Sequence, residues 1–235
     1  MRIFTVAFGD EYLWMLDAMR RSVIENFPDA QFVVAHVKGP PPSKWLQPFL
    51  TNNDLKMEYW AQYIEEAPEG AHVVLMDCDT LVLRPLDAVF ESQFDIAYTV
   101  RDGKVPFNSG VVFIKVSDKT RKFMRQWADA NHAMIKKGST VLHLVAEFAG
   151  INQRTMRDML DRYSRNGTDF RIKAVPCAIW NCEQENYKNF DPDKTAVLHV
   201  KSWLREMLMG APQTLGSDAE RALLPICRRY GYGCK

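Results

Sequence analysis

The sequence predicts an α/β protein whose site lies at one edge of a central sheet. Three observations predict it. The chain opens strand–helix–strand, a unit that implies parallel neighbouring strands. Apolar runs of strand length then alternate with stretches whose apolar residues fall at helical spacing. Third, Val73-Val74-Leu75-Met76 leads straight into Asp77-Cys78-Asp79-Thr80-Leu81. Such a run reads as a buried strand, and ligands in these sheets sit beyond the carboxyl ends of the strands. Asp77 and Asp79 are therefore expected at the mouth of a cleft, on one side of it by the two-residue period of a strand.

The elements follow in order. Ile3 to Phe8 is apolar and β-branched enough for a first strand, broken by Gly9-Asp10. Tyr12 to Asn26 places Leu13, Leu16, Met19, Val23 and Ile24 at helical spacing, and Phe27-Pro28-Asp29 ends that helix. Gln31 to Val37 is the second strand, followed by a stiff surface loop, Gly39-Pro40-Pro41-Pro42-Ser43, too short for a domain linker. Lys44 to Ala67 reads as mostly helical (Trp45, Leu46, Phe49, Leu55, Met57, Trp60, Tyr63, Ile64), stopped by Pro68-Glu69-Gly70. After the carboxylate strand, Thr80 to Phe90 is a connection, Phe94 to Val100 a strand and Arg101 to Lys104 a turn. Pro106 to Gly110 feeds an apolar strand over Val111 to Val116.

Asp118 to His132 is a helix whose Lys119, Arg121, Lys122 and Arg125 form a solvated basic face. Val141 to Phe148 fits either helix or strand. Asn152 to Tyr163 is a helix, Phe170 to Val175 a strand, 176 to 193 irregular, Ala196 to Val200 a short strand, and Asp218 to Tyr230 a last helix.

Composition bounds the function. Hydrophobic residues make up 47% and charged residues 25% of 235, ordinary for a globular chain able to bury a core without staples. A net charge of +1 gives no global case for nucleic acid or an anionic membrane. No run approaches the roughly 18 apolar residues of a membrane span, and Met1 to Val6 enters a strand pattern without a signal-peptide region. The expected compartment is cytoplasmic, with the five irregularly spaced cysteines as free thiols.

Paired carboxylates repel unless a cation lies between them or one is protonated. A hard divalent ion, Mn²⁺ or Mg²⁺, shared with substrate phosphates resolves this. Three readings of the motif are open: a metal–nucleotide site, the nucleophile loop of a haloacid-dehalogenase-type phosphatase, or exposed carboxylates without function. The phosphatase loop carries Thr or Val two residues after its second Asp, normally on the first strand. Here Thr80 follows Asp79 directly, Leu81 takes the expected place, and the motif arrives a third of the way along.

The downstream segments favour the first reading. Phe107-Asn108-Ser109-Gly110-Val111-Val112-Phe113-Ile114, Glu147-Phe148-Ala149-Gly150-Ile151-Asn152-Gln153 and Leu198-His199-Val200-Lys201-Ser202-Trp203 follow the carboxylates in that order. With Asp77-x-Asp79 they resemble glycosyltransferases of the GT-A fold, especially the glycogenin and galactosyltransferase-like group (family 8-type). Asn152-Gln153 stands where that group has Asp-Gln. In its C-terminal His-x-x-Gly-x-x-Lys segment His199 matches, Ser202 replaces Gly and Arg205 stands at the Lys.

The resemblance covers most of residues 3 to 205 and implies a single GT-A domain over 1–235. This is a Rossmann-like α/β/α sandwich with a mixed sheet, about 1–115 forming the nucleotide-binding half and about 116–235 the acceptor half and tail. It implies a hexosyltransferase moving sugar from a nucleoside diphosphate sugar, a UDP-sugar foremost, to an acceptor hydroxyl with retention. Asp77, Asp79 and His199 would hold Mn²⁺ or Mg²⁺. Glu147, Asn152 and Gln153 would be catalytic or face the donor sugar. Thr5, Ala7, Tyr12, Lys56, Cys78, Asn108, Ser109, Gly110, Lys201 and Arg205 would bind the nucleotide sugar. If the reaction inverts, Glu147 or Glu183 is the base. The acceptor would be a glycan, a lipid-linked glycan or modified DNA, the last tracked by the basic helix and the Arg-rich stretch Arg154 to Arg171. Trp180, Tyr187 and Trp203 would stack on a sugar or a base alike. A non-catalytic nucleotide-sugar-binding relative is a further alternative.

Overall fold

A computed structural model describes residues 1–10, 12–38, 47–102, 105–165, 169–210 and 217–233. The expected Gly39–Ser43 loop, Trp45 and Leu46 of the second helix, and the Gly103-Lys104 part of the turn lie outside them. In chain order the elements are β1 (Arg2–Phe8), α1 (Leu13–Asn26), β2 (Gln31–Val37), α2 (Gln47–Glu66), β3 (His72–Asp77), β4 (Thr80–Val82), β5 (Ile96–Val100) and β6 (Phe107–Lys115). There follow α3 (Asp118–Ile135), α4 (Leu142–Phe148), α5 (Ile151–Arg165), β7 (Ile172–Pro176), α6 (Cys177–Trp180), β8 (Val197–His199), α7 (Ser202–Leu208) and α8 (Asp218–Arg229).

Six strands form one sheet in the order β2-β1-β3-β6-β5-β7. β1 is parallel to β2 and β3, and β5 to β7; β6 runs antiparallel between β3 and β5, so the sheet is mixed. The alternation of β3 sends Val73 and Leu75 to a core with Met57, Trp60, Phe123 and Trp127 of α2 and α3. Val74 and Met76 face the opposite core, with Met19 and Val23 of α1. Burial on both faces is why β3 reads as an unbroken apolar run. A second, two-stranded sheet pairs β4 with β8.

Four expectations change and one open reading resolves; residues 176–193, expected as irregular, contain α6 and a 3-10 turn at Tyr187–Asn189. Thr80–Val82, expected as connection, is a strand. β6 starts at Phe107 rather than Val111, with a register irregularity opposite Tyr98 and Thr99. Val141 to Phe148 resolves to helix, as a 3-10 turn and α4. Residues 202–208, given no element by the sequence, form α7.

Three of the four cations on the basic face of α3 are ion-paired: Arg125 binds Glu58 and Glu65, Arg121 binds Glu69 and Asp118, and Lys119 binds Asp169. Among the described residues no helix is long and apolar enough to cross a membrane.

Candidate functional site

The site stands at the carboxyl edge of the sheet. β1 and β3 end there in register, Val6 opposite Asp77, and the antiparallel β6 begins there. Asp77 closes β3, and the chain turns through Cys78 and Asp79 into β4. The Thr80 hydroxyl donates to the Asp77 carbonyl at 2.8 Å and pins the turn. Asp79 thus leaves the strand, so its approach to Asp77 comes from this turn rather than from strand alternation.

β8 supplies the third group. Thr80 pairs with His199, and the Val200 amide donates to the Asp79 carbonyl at 2.8 Å. His199 Nε2 lies 2.9 Å from Asp79 Oδ1 and 3.7 Å from Asp77 Oδ2. One potential ligand atom from each of Asp77, Asp79 and His199 falls within 4.8 Å of the others. Two carboxylate oxygens and an imidazole nitrogen suit a borderline-hard divalent ion.

The His199 ring is aimed by its neighbours. Its Nδ1–H donates to Asn181 Oδ1 at 2.9 Å, while Asn181 Nδ2 donates to Thr99 Oγ1 and that hydroxyl to the Asn108 carbonyl. Anchoring Nδ1 turns Nε2 toward the carboxylates, the usual arrangement behind a metal-binding histidine. Gly110 makes the space: a Cβ there would meet His199 Cε1 at 2.5 Å and Nδ1 at 2.8 Å. The buried Tyr187 hydroxyl donates to the His199 carbonyl and accepts from the Lys201 amide.

Cations surround the carboxylates. Lys56 Nζ donates to Asp77 Oδ1 at 2.7 Å, and Arg205 donates to Asp79 Oδ2 and to the Val200 carbonyl. Burial acts to raise the Asp79 pKa, but His199, Arg205 and Lys201 prevail and hold it well below the usual carboxylate range. Burial, followed by the Asp79 and Asp77 charges, pushes the Cys78 thiol up to about 12, so it is neutral.

A cavity of about 280 Å³ opens over this group, lined by Val6, Phe8, Tyr12, Asn52, Lys56, Asp77 to Asp79 and Arg205, with Met15 behind. Of the expected β1 residues, Thr5 and Ala7 are fully buried, and the Thr5 hydroxyl has no hydrogen-bond partner among the described residues. Val6 and Phe8 form that part of the wall. Tyr12, just before α1, is 40% exposed.

Beside it lies an amide cluster. Asn53 Nδ2 donates to Asn152 Oδ1, Asn152 Nδ2 to Ser109 Oγ, and the Ser109 amide to Gln153 Oε1. Asn108 Oδ1 accepts from the Gly110 amide at 2.7 Å. The structure therefore joins Ser109, Asn152 and Gln153. Glu147 is exposed on α4, outside this cluster. Glu183 is buried in an ion pair with Arg101 at 2.7 Å, the two side chains 4% and 5% exposed. Ser202 adopts φ 46°, a left-handed conformation that accounts for Gly at the matching family position.

Sequence reasoning missed Asn181, Asn52, Asn53 and Phe8. Asn181 sits in a stretch without periodicity, and the bridge of the next residue, Cys182, to Leu198 of β8 brings it to His199.

A doubly wound mixed sheet with paired carboxylates, a histidine and cationic side chains at its carboxyl edge defines a nucleotide-handling α/β enzyme. The sequence profile of the nucleotide-diphospho-sugar transferases matches residues 67–205, more than half of the chain. The chain belongs to that family and is a glycosyltransferase, of the GT-A fold and resembling the family 8-type group. No curated protein matches it in sequence.

Solved structures agree on the fold. A glycosyltransferase involved in glycosylation of the major capsid of PBCV-1 superposes with a TM-score of 0.60 at 12% identity, covering 87% of this chain and 95% of that one. Galactosyltransferase LgtC, in complex with donor and acceptor sugar analogs, gives 0.53 at 16% identity, covering 97% and 96%. The glycosyltransferase GlyE of Streptococcus pneumoniae TIGR4 gives 0.55 at 13%, covering 97% of this chain and 59% of that one.

Proposed function

We propose that this glycosyltransferase moves a hexose from a UDP-sugar to an acceptor hydroxyl with retention, using Mn²⁺ or Mg²⁺ at Asp77, Asp79 and His199. The observation that carries the reading is the convergence of one potential ligand atom from each of these three residues, beside a cavity that Asp77, Asp79, Lys56 and Arg205 line and His199 backs from the interior. When bound, the ion neutralises charge that develops on the leaving diphosphate.

The chain's own residues do the rest. Asp77 and Asp79 present carboxylate oxygens, and His199 presents Nε2, oriented through Asn181. Arg205, with its planar fork, and Lys56 bind phosphate oxygens, with Lys201 as a further basic group near Asp79. Tyr12, Val6 and Phe8 make an aromatic and apolar wall for the nucleoside, with Thr5, Ala7 and Cys78 behind or beside it. Asn152, Gln153 and Ser109 form a pre-set, buried amide and hydroxyl cluster beside which the donor sugar would lie, with Asn108 and Gly110 next to it. Residues of about 1–115 then serve the nucleotide, and about 116–235 serve the acceptor while also returning His199, Lys201 and Arg205 to the diphosphate and Asn152 and Gln153 to the donor sugar.

With retention, the leaving phosphate oxygen accepts the acceptor's proton, and no dedicated base is needed. This suits the exposure of Glu147 and the ion-paired state of Glu183. The acceptor we favour is a saccharide or lipid-linked glycan. Modified DNA draws no support from α3, whose Lys119, Arg121 and Arg125 are ion-paired. The free thiols of Cys78, Cys177, Cys182 and Cys227 suit a reducing cytoplasm.

The test is a panel of nucleotide sugars with Mn²⁺, scored by release of nucleoside diphosphate with and without simple saccharide acceptors. Release from a UDP-hexose supports the reading. A panel on which no donor is turned over or bound contradicts it.

A further inference from the structure

A second cavity, of about 340 Å³, lies at the opposite edge of the sheet, between the first turns of α3, the end of α5 and the approach to β7. Val73, Ile114, Ile96 and Ile172 stand side by side at that edge, where β3, β5 and β7 begin and β6 ends. The six residues of β3, roughly 20 Å at the rise of a strand, separate it from Asp77.

The base of this cavity is aromatic. Phe170 stacks on the buried Phe123 with 5.1 Å between ring centroids, and Tyr163 meets Phe170 edge-on at 4.8 Å. The Tyr163 hydroxyl donates to Gln126 Oε1 at 3.0 Å, which leaves Gln126 Nε2 as a donor without a partner among the described residues. The rim is charged. Lys119, Lys122 and Gln126 share one face of α3 by their spacing. Lys119 is ion-paired with Asp169 across the cavity mouth. Lys122 and Arg162 are exposed, and neither pairs with a carboxylate among the described residues.

These groups select a ligand by what each can bind. Lys122 and Arg162 supply positive charge for an acid group. Asp169 and Gln126 offer an acceptor and a donor, which suit hydroxyls. The aromatic base suits the apolar face of a ring. A bare anion would use only the cations. A long polyanion fits poorly, because Glu58, Glu65 and Glu69 hold Arg125 and Arg121 and place negative charge along the same helix. The volume is that of a small-molecule pocket.

We propose that this cavity binds an acidic saccharide, a sugar unit carrying a carboxylate or a phosphate, at a place separate from the carboxyl-edge site. Lys122 and Arg162 take the acid group, Asp169 and Gln126 take hydroxyls, and Tyr163 and Phe170 carry the ring. The inference goes beyond the transferase reading and does not depend on it.

The test is an amide chemical-shift titration of the isotope-labelled full chain with four probes: glucose 6-phosphate, glucuronate, glucose and inorganic phosphate. At least one of the two acidic sugars should bind with a Kd on the order of 1 mM, and glucose and inorganic phosphate about tenfold more weakly. Lys122→Gln and Arg162→Gln should each weaken the acidic sugar about threefold and together about tenfold, the scale of exposed charge pairs. Both positions are exposed on helices that glutamine suits, so the variants should fold. Asp79→Ala, at the other edge of the sheet, should leave this binding unchanged.

Neither acidic sugar bound at about ten times that concentration overturns the proposal. So does glucose or inorganic phosphate binding as tightly as the acidic sugar. Binding that survives the double substitution, or that Asp79→Ala abolishes, places the sugar elsewhere and overturns it as well.

Discussion

Gly110→Ala isolates how the histidine is placed. Gly110 is not in the left-handed region, so alanine meets no backbone penalty there. The difficulty is contact: the new Cβ would lie 2.5 Å from His199 Cε1, about 0.9 Å inside the 3.4 Å at which ordinary contact begins. It would also lie 2.8 Å from Nδ1 and 2.9 Å from Asn108 Oδ1. His199 is fully buried, so the ring cannot swing away into solvent. A displacement of that size stretches both the 2.9 Å bond to Asn181 and the 2.9 Å approach to Asp79. Overpacking a core in this way costs about 1–3 kcal/mol. Losing a ligand's orientation lowers metal affinity by about 10- to 100-fold. Urea denaturation and Mn²⁺ titration in the presence of UDP measure the two effects. A Gly110→Ala protein with wild-type Mn²⁺ affinity would refute the placement of His199 against Gly110.

Asn181→Ala leaves the His199 Nδ1–H without an acceptor and should weaken Mn²⁺ about 10- to 100-fold; Asn181→Asp, which keeps the acceptor, should recover most of it in the same titration. Thr5→Val removes a buried hydroxyl that has no partner among the described residues, so it should leave stability unchanged or raise it by about 1 kcal/mol. A concurrent loss of UDP affinity would assign that hydroxyl to the nucleotide, and unchanged affinity would make Thr5 purely structural. Burial is the first cause pushing the thiols of Cys78, Cys182 and Cys227 up to about 12 and that of Cys177 to about 11, from 9.0. These raised values make stability complete below pH 9 and lost as pH climbs toward 11 to 12, because the unfolded chain ionises first. Each thiol contributes about 1.4 kcal/mol per pH unit in that window, so the urea midpoint should fall steeply between about pH 9 and 10.5, and a flat profile would contradict the burial.

The sequence carries the sheet's first half clearly because its signals are local. The strand–helix–strand opening needs only neighbouring residues. The unbroken apolar run of Val73 to Met76 follows from burial on both faces, which periodicity reports directly. Asp77, Asp79 and His199 were legible as residues, but their meeting was expected only through the family resemblance and not from any local pattern. It depends on β4 and β8, three residues each and over a hundred residues apart in the chain, too short to show a period. Asn108-Ser109-Gly110 reads as a lead-in to a strand because polar residues and glycine suggest a turn. In the fold they are a buried strand start, their polarity absorbed by Asn152, Gln153 and the Gly110 amide, and their missing Cβ by His199. Helix α7 escaped notice because Ser202 takes a left-handed φ just where it begins, without the usual capping signal.

The most direct test of the central claim, that Asp77, Asp79 and His199 hold an ion on which diphosphate departure depends, is the rate of nucleoside diphosphate release by wild type and Asp79→Ala. It is measured with saturating Mn²⁺ and again after chelation. The account predicts that chelation and Asp79→Ala each lower the rate by roughly a hundredfold or more, and that the two losses do not add. Asp79→Ala working at the wild-type rate with Mn²⁺ present would contradict it.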